Sequence, residues 1–243
     1  MVFKHAYLLP VLFALLMPVT FIITYTSAVL NQNVKPVFPY ISDTGSWSPE
    51  SCIFGLLLTF GALLLSLIVY VRYRQVRDLC EKNEFKPLIK KINTLTLYIG
   101  FCASLGIVVV ASFQETNAFV VHLLGAGMCF GLGSIYHIIQ VIISFSLYPT
   151  FGKKSLNIYR LICTILYFVT LSLTAIFLVL SLLKFKGDDI TKWVEEDGGY
   201  DLHLVSTIAE WIMVAFNQLI ILTLAFEFKY IQFSEPKINT DLG

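Results

Sequence analysis

The chain has 243 residues, of which 57% are hydrophobic and only 14% are charged, and its formal net charge is +1. A soluble domain is nearer half apolar and a quarter charged, so this composition argues against a soluble globular protein. The basic residues are interspersed with acidic ones, which argues against a nucleic-acid partner. The sequence has no spacing typical of a nucleotide loop or a zinc site, so we expect no metal and no cofactor.

Six long apolar runs extend along the chain, and Glu210 is their only acidic residue. Each run has about the twenty residues that a helix needs to cross a bilayer core. Helices also satisfy their own backbone hydrogen bonds in lipid. The sequence therefore predicts an all-α polytopic membrane protein, a single membrane domain over residues 1–243 with a short tail at 227–243. The predicted spans are 6–30, 53–71, 93–112, 118–147, 161–183 and 204–226.

The distribution of positive charge predicts the orientation of the bundle. Of the 17 Lys and Arg residues, all but Lys35, Lys184, Lys186 and Lys192 fall on segments that share one side of the membrane. Basic residues accumulate on the cytosolic side of membrane proteins. We therefore expect both the N-terminus and the C-terminus to be cytosolic.

The first outer loop contains the triplet Asp43-Thr44-Gly45, which resembles the active-site triplet of aspartic proteases. Those enzymes need two carboxylates that share a proton, and the sequence contains this triplet only once. A turn explains the triplet better, with Asp43 and Thr44 bonding nearby backbone groups and Gly45 supplying a positive φ.

The end of this loop predicts the start of the second span. Ser48 would be the N-cap, Pro49 suits the first helical position, and Glu50 favours the positive end of the helix dipole. Aromatic and amphipathic rings tend to lie at the membrane interface. We expect this of Phe38, Pro39, Tyr40 and Trp47.

The fourth apolar run carries an unusual mixture of polar residues and glycines. At helical spacing, one stripe comprises His122, Ala126, Cys129, Gly133, Tyr136 and Gln140. Polar groups on a membrane helix face the bundle interior. Gly127 and Gly131 form a GxxxG pair flanked by Gly125 and Gly133, and small residues of this kind permit close helix packing. These patterns predict a central, tightly packed fourth helix.

Two interpretations of the polar stripe remain open. In one, its side chains only form hydrogen bonds between helices. In the other, a polar cavity binds a lipid head group or a small polar ligand. Its candidate residues are His122, Tyr136 and Glu210, joined by Gln114 and Glu115 from a short outer turn. His122 and Glu210 would share a polar site because both lie one to two turns below the outer face.

Three further polar residues are expected to have structural roles. His137 follows Tyr136 directly and should point away from it, at a helix contact or at the interface. Asn217 and Gln218 in the sixth span should form hydrogen bonds between helices.

Four segments resemble the DRAM family, the damage-regulated autophagy modulators: "FPYISDTGSWSPESCIFG", "ASFQET", "VHLLGAGMCFGLGSIYHIIQ" and "AEWIMVAFNQ". The first is the most specific, and its motif residues are Phe38, Pro39, Tyr40, Ser42, Asp43, Thr44, Gly45, Pro49 and Glu50. The resemblance implies six spans, a lysosomal membrane location, and promotion of autophagy with links to cell death. A wider group includes Golgi proteins of GPI-lipid remodelling and plasma-membrane proteins linked to phosphoinositide kinases, so the Golgi and the plasma membrane are alternative locations.

The sequence leaves three functions, which we rank in order. The first is a non-enzymatic membrane regulator of autophagy, the second an intramembrane lipid-binding or lipid-remodelling protein, and the third a transporter. We assign no catalytic residue, because no nucleophile with an oriented base is evident. The expected partners are membrane lipids and lysosomal or trafficking proteins, and the oligomeric state is open. A weak sorting signal of the tyrosine-x-x-hydrophobic type runs from Tyr230 to Phe233.

Overall fold

The computed structural model describes residues 5–83, 85 and 87–232. It contains six helices that are long and apolar enough to cross a membrane, and the described residues form no β-strand. The all-α, six-span fold expected from the sequence is therefore confirmed, while the orientation of the termini stays a prediction. The helices are α1 (Leu8–Leu30), α2 (Glu50–Lys82), α3 (Pro87–Ser112), α4 (Glu115–Leu147), α5 (Lys154–Leu182) and α6 (Tyr200–Phe228).

The six helices form a closed ring in which each packs against the next, and α6 packs back against α1. One end of the ring carries the loops 31–49 and 183–199 and is called the acidic end. The opposite end carries the end of α2, the start of α3 and the connection 148–153 and is called the basic end. This arrangement leaves room for a cavity on the ring axis.

The most buried helix is α6, not α4. In the most apolar stretch of α6, 50% of the residues are buried inside the bundle, against 17% in the corresponding stretch of α4. The expectation that the fourth span is the central helix was therefore wrong. A large part of the α4 surface is left for lipid instead, and residues such as Val120, Leu124 and Ile142 are exposed.

At the basic end, α2 extends well beyond the apolar run that identified it. The predicted span ended at residue 71, whereas α2 continues to Lys82. Ion pairs at i,i+4 spacing stabilise this polar extension. Arg77 bonds Glu81 at 2.9 Å, and Lys82 bonds Asp78 at 2.8 Å.

The start of α2 differs in detail from the expectation. Pro49, rather than Ser48, occupies the N-cap position, and the helix begins at Glu50. The Glu50 carboxylate is fully buried. It accepts hydrogen bonds from Ser27 at 2.7 Å and Asn33 at 2.9 Å. Glu50 therefore fastens the end of α1 to the start of α2, in addition to its favourable place in the helix dipole.

Helix α4 contains a π-helical segment over Gly127–Leu132. A π segment changes the register of the side chains that follow it. No atom of the described chain lies within 4 Å of a Cβ built on Gly127 or Gly131, so these two glycines face open space. Their predicted role as a tight packing seam was therefore wrong.

The close packing between α3 and α4 lies at other glycines. A Cβ on Gly125 would lie 2.7 Å from Val109, and one on Gly106 would lie 2.5 Å from the Cys129 nitrogen. At Gly133 the nearest atom is the Tyr167 hydroxyl at 3.5 Å, an ordinary contact. Of the four predicted packing glycines, Gly125 is the one in a tight contact, and its partner Gly106 was not foreseen.

Candidate functional site

The loop between α1 and α2 folds down into the acidic end of the ring. We call residues 39–46 the plug, because most of this segment is buried. Phe38 and Trp47 on either side are exposed, as expected for interfacial rings, whereas Pro39 and Tyr40 are buried. The predicted interfacial location of Pro39 and Tyr40 was therefore wrong.

The centre of the plug is a single 3₁₀ turn over Asp43–Gly45. The predicted turn is present, but Gly45 is not there to supply a positive φ, because its φ is not positive. A side chain at this position would instead overlap the ring of Phe54 on α2. Glycine at 45 is required because the backbone of the plug lies directly against a helix.

Three hydrogen bonds, from helices α1 and α6, hold the plug in the ring. The Thr44 hydroxyl lies 2.9 Å from the Thr24 hydroxyl of α1. The Tyr40 hydroxyl donates to Ser206 of α6 at 2.6 Å, and the Trp211 indole donates to the Pro39 carbonyl at 2.9 Å. These contacts fasten a loop to the interior of a membrane bundle, where a free backbone group would be costly.

A cluster of buried carboxyl groups lies around the plug. Asp43, Glu115 and Glu210 are all buried, and they come from the plug, α4 and α6. The Asp43 carboxylate accepts from the Tyr40 amide at 2.8 Å and also shares a hydrogen bond with Glu115. Burial, followed by the charge of Glu115, raises the pKa of Asp43 well above its ordinary value. Two carboxyl groups in such contact share a proton.

Glu115 contacts the plug through two hydroxyl groups. Ser46 donates to one carboxylate oxygen of Glu115 at 3.3 Å, and Ser42 donates to the other at 3.4 Å. Gln114 occupies the N-cap position of α4 and accepts from Asn117 at 3.5 Å. The structure therefore brings Glu115 into the cluster, while neither Gln114 nor Glu115 is among the described wall residues of the cavity below it.

A cavity of about 70 Å³ lies directly beneath the plug on the ring axis. Its apolar walls come from α1, α2, α3, α4 and α6. The polar residues that line it are Ser42, His122, Glu210, Asn217 and Gln218. The two side-chain polar atoms of Gln218 have no hydrogen-bond partner among the described residues. Buried amides in native proteins normally have a partner.

His122 and Glu210 line the same cavity without bonding to each other. The His122 Nδ1 lies 2.8 Å from the Phe113 carbonyl oxygen, so this nitrogen carries the proton. One carboxylate oxygen of Glu210 accepts from the Ile41 amide of the plug at 2.8 Å. In the described part of the chain the two side chains form no ion pair, so any joint role requires a molecule between them. That role stays a prediction.

A second, smaller cavity of about 40 Å³ lies deeper in the ring. Tyr136 lines this cavity and not the first, and its hydroxyl has no partner among the described residues. His137 lines it as well, with its ring 5.9 Å from that of Tyr136. The expectation that His137 points away from Tyr136 was wrong, whereas its predicted helix contact is present as a 2.9 Å hydrogen bond to Asn217.

Comparison with known proteins identifies the family. A sequence family described as "Frag1/DRAM/Sfk1/Cwh43P N-terminal domain" matches residues 5–231. The chain belongs to the Frag1/DRAM/Sfk1 family. The resemblance to DRAM proteins is thereby confirmed, and the plug lies within the first of the four segments that carry it.

Named relatives of this Frag1/DRAM/Sfk1 protein cover most of its length. DNA damage-regulated autophagy modulator protein 2 of Homo sapiens is 39% identical over 197 residues, which covers 79% of this chain and 73% of the relative. DNA damage-regulated autophagy modulator protein 1 of Homo sapiens is 34% identical, covering 81% and 79% respectively. Modulator of macroautophagy TMEM150B of Danio rerio is 38% identical over 149 residues, covering 60% and 61%. No solved structure gives a significant match.

The family member also has a buried charge cluster at the basic end that the sequence did not indicate. Arg72 bonds the Glu227 carboxylate at 2.6 Å, and Arg160 approaches its other oxygen at 3.4 Å. All three side chains are buried. The predicted spans leave these residues in loops and the tail, because each lies just outside an apolar run. Their convergence on one another inside the ring could not be read from hydropathy.

The remaining sequence signal lies at the end of α6. Tyr230 is 75% exposed and closely follows the helix. Phe233, the other residue of the proposed sorting signal, lies outside the described residues. The exposure of Tyr230 is compatible with recognition by a partner protein, but the signal stays a prediction.

Proposed function

We propose that this chain is a lysosomal membrane protein that modulates autophagy without a catalytic step. The observation that supports this proposal is the match to relatives named as autophagy modulators over about four fifths of the chain. The six membrane-spanning helices agree with a multi-pass protein. The lysosomal location, like the absence of catalysis, is inferred from the family resemblance.

The contacts of the plug support a non-enzymatic role. Glu210 and Glu115 both accept hydrogen bonds that hold the plug in place. A general base must reach the proton that it removes, and both carboxyl groups are engaged in holding the loop. His122 bonds the Phe113 carbonyl through Nδ1, which leaves its other ring nitrogen as the acid–base group that a variant must test. We infer that the two carboxyl groups stabilise a closed conformation rather than activate a nucleophile.

The proposal is tested by location and by autophagic flux in cells that express the tagged chain. We expect the protein to colocalise with lysosomal markers, and its removal to change the turnover of an autophagosome marker measured with and without lysosomal inhibition. Confinement to the Golgi or the plasma membrane, or an unchanged turnover, would overturn the proposal.

A histidine variant separates the non-enzymatic role from catalysis. His122→Asn retains a side-chain N–H for the Phe113 carbonyl but removes the acid–base function. We expect normal flux from this variant. Loss of flux at unchanged protein level and thermal stability would favour the enzymatic alternative.

A second candidate function is the binding of a lipid or small molecule inside the ring. The unpartnered amide of Gln218, buried in the wall of the central cavity, favours it. Ala126→Leu would fill this cavity from α4, and Ala215→Leu, on the exposed side of α6, is the matched control. If the cavity binds a ligand that regulates flux, Ala126→Leu changes flux and Ala215→Leu does not.

The transporter alternative has less support. At the basic end, the ring interior is occupied by Arg72, Arg160 and Glu227, which are bonded to each other and to Ser144. Fixed positive charge in a narrow passage opposes the movement of cations and protons.

A further inference from the structure

The wall of the central cavity follows the helices of the ring along part of their length. On α6 its wall extends from Glu210 to Gln218, and on α1 it extends from Phe13 to Phe21. Each of these stretches rises about 12 Å at 1.5 Å per residue. The volume of about 70 Å³ is several times the roughly 10–15 Å³ that one water molecule needs. A linear chain of this length fits such a cavity better than a bulky ring.

One end of the cavity carries carboxyl groups. Glu210 lies in the wall below the plug, and Asp43 and Glu115 are buried close to it. None of the described wall residues is Lys or Arg. His122 shares the wall, but its Nδ1 bonds a backbone carbonyl and not Glu210. A carboxylate in such surroundings is stabilised by a proton or by a cationic partner.

The other end of the cavity carries an uncharged donor and acceptor. Gln218 is only 8% exposed, and among the described residues neither its Oε1 nor its Nε2 has a partner. A ligand hydroxyl could donate to Oε1 and accept from Nε2. Between the two ends the wall is apolar, with Met17, Leu58 and Val214 among its residues.

We propose that the cavity binds a linear amphipathic amine whose ammonium group lies at Glu210 and whose far end carries a hydroxyl or similar uncharged polar group at Gln218. This inference rests on the ligand-binding candidate function and gives it a chemical class. The ammonium group would be recognised by a charge-assisted hydrogen bond. The alkyl segment would displace poorly bound water from apolar walls.

The test uses three matched probes and the full chain in nanodiscs of zwitterionic lipid. The probes are ω-aminooctanol, octylamine without the hydroxyl, and octanol without the amine, each supplied at the same bilayer concentration. Thermal unfolding measures binding, because a ligand that binds only the folded state raises the Tm. For ω-aminooctanol at ten times its Kd we expect a rise of about 3–6 °C, and a smaller rise for each of the other two.

Variants assign each end of the probe to its residue. Glu210→Gln should reduce the effect of ω-aminooctanol to that of octanol, since the amide still accepts from Ile41 but carries no charge. Gln218→Leu should reduce it to that of octylamine, and its amide has no described partner to lose. Glu196→Gln removes an exposed acidic residue and should leave all three responses unchanged.

The outcomes distinguish recognition of the amine at Glu210 from binding in the cavity as such. If octanol equals ω-aminooctanol on the wild type, or if Glu210→Gln retains the full response, the amine assignment is overturned while cavity binding stands. If no probe raises the Tm, or if the cavity-filling Ala126→Leu retains every response, binding in this cavity is overturned as well. The location and flux experiments then still decide the autophagy role.

Discussion

Glu210, on a membrane-spanning helix, accepts a hydrogen bond from the backbone amide of Ile41, a residue of the loop that joins α1 to α2. The two residues are 169 positions apart in the chain, and their atoms are 2.8 Å apart in the structure. The bond gives a partner to a backbone group that would otherwise be buried without one, which is costly. Glu210 thereby connects the plug to the most buried helix of the ring.

The first prediction concerns this bond. Glu210→Leu removes the acceptor and leaves the Ile41 amide unsatisfied, so we expect a loss of about 1–3 kcal/mol. Glu210→Gln keeps an acceptor oxygen at the same place and should remain close to wild type. Thermal unfolding of both variants in detergent measures the difference. A Leu variant as stable as the Gln variant would show that the plug does not depend on this contact.

The second prediction is a dependence of plug stability on pH. The pKa of Asp43 is raised above its ordinary value of 3.8 by burial and by Glu115. The folded state therefore holds a proton that the unfolded plug releases. The stability that this proton gives to the closed plug is complete below pH 3.8 and is lost as the pH rises through the raised pKa. Between these two limits the opening equilibrium changes by about tenfold for each pH unit. The groups that face Asp43 are Tyr40, Glu115 and Glu210.

Hydrogen exchange of the segment 38–46 measures the opening of the plug, expressed as protection factors so that the intrinsic effect of pH is removed. Wild-type protection should fall as the pH rises from acidic to neutral. Asp43→Asn should show a much flatter profile, while Glu196→Gln, on an exposed loop at the same end of the ring, should follow the wild type. Identical profiles for the wild type and Asp43→Asn would contradict the shared proton.

The third prediction distinguishes glycines that pack from glycines that do not. Gly125→Ala and Gly106→Ala should destabilise the protein by about 1–3 kcal/mol, because the new methyl groups overpack the contact between α3 and α4. Gly127→Ala and Gly131→Ala meet open space, and alanine is the better helix former by about 1 kcal/mol. We expect these two variants to be neutral or stabilised in thermal unfolding. If Gly127→Ala and Gly131→Ala were instead the less stable variants, the predicted packing at the GxxxG pair would be correct.

The fold could be predicted because six apolar runs leave membrane-spanning helices as the natural solution. The polar stripe also pointed correctly to buried side chains, since His122 and Tyr136 both lie inside the ring. The position of the plug could not be predicted in this way. Its sequence is that of a polar loop, and loops normally lie on the surface. Only the three-dimensional structure brings Ile41 to Glu210.

Two other misses have separate physical causes. The four glycines of α4 do not share one face: Gly125 packs against α3, whereas Gly127, two residues later and so on nearly the opposite side of the helix, meets open space. The burial of Arg72 and Glu227 was missed because both residues directly follow the end of an apolar run, so hydropathy placed them outside the spans. An edge residue can point to solvent or to a facing helix, and the sequence alone does not distinguish between these positions.

The fourth prediction concerns the charge cluster at the basic end. Glu227 is the carboxylate that Arg72 and Arg160 share, and all three side chains are almost fully buried. Glu227→Gln would leave two buried guanidinium groups without a counter-charge. Removing one partner of a buried ion pair typically costs about 3–5 kcal/mol, so we expect a large fall in the Tm and in the yield of folded protein.

A surface ion pair provides the matched control for the cluster. Arg77 and Glu81 lie on the same helix as Arg72, and both side chains are more than half exposed. Exposed pairs of this kind contribute little to stability, so Glu81→Gln should unfold at the wild-type temperature. The double variant Arg160→Gln with Glu227→Gln removes one cation together with the anion. If the cost arises from uncompensated charge, the double variant should be more stable than Glu227→Gln alone. A double variant that is less stable would instead show that the Arg160 hydrogen bonds to Ser144 and Thr223 hold this end of the ring together.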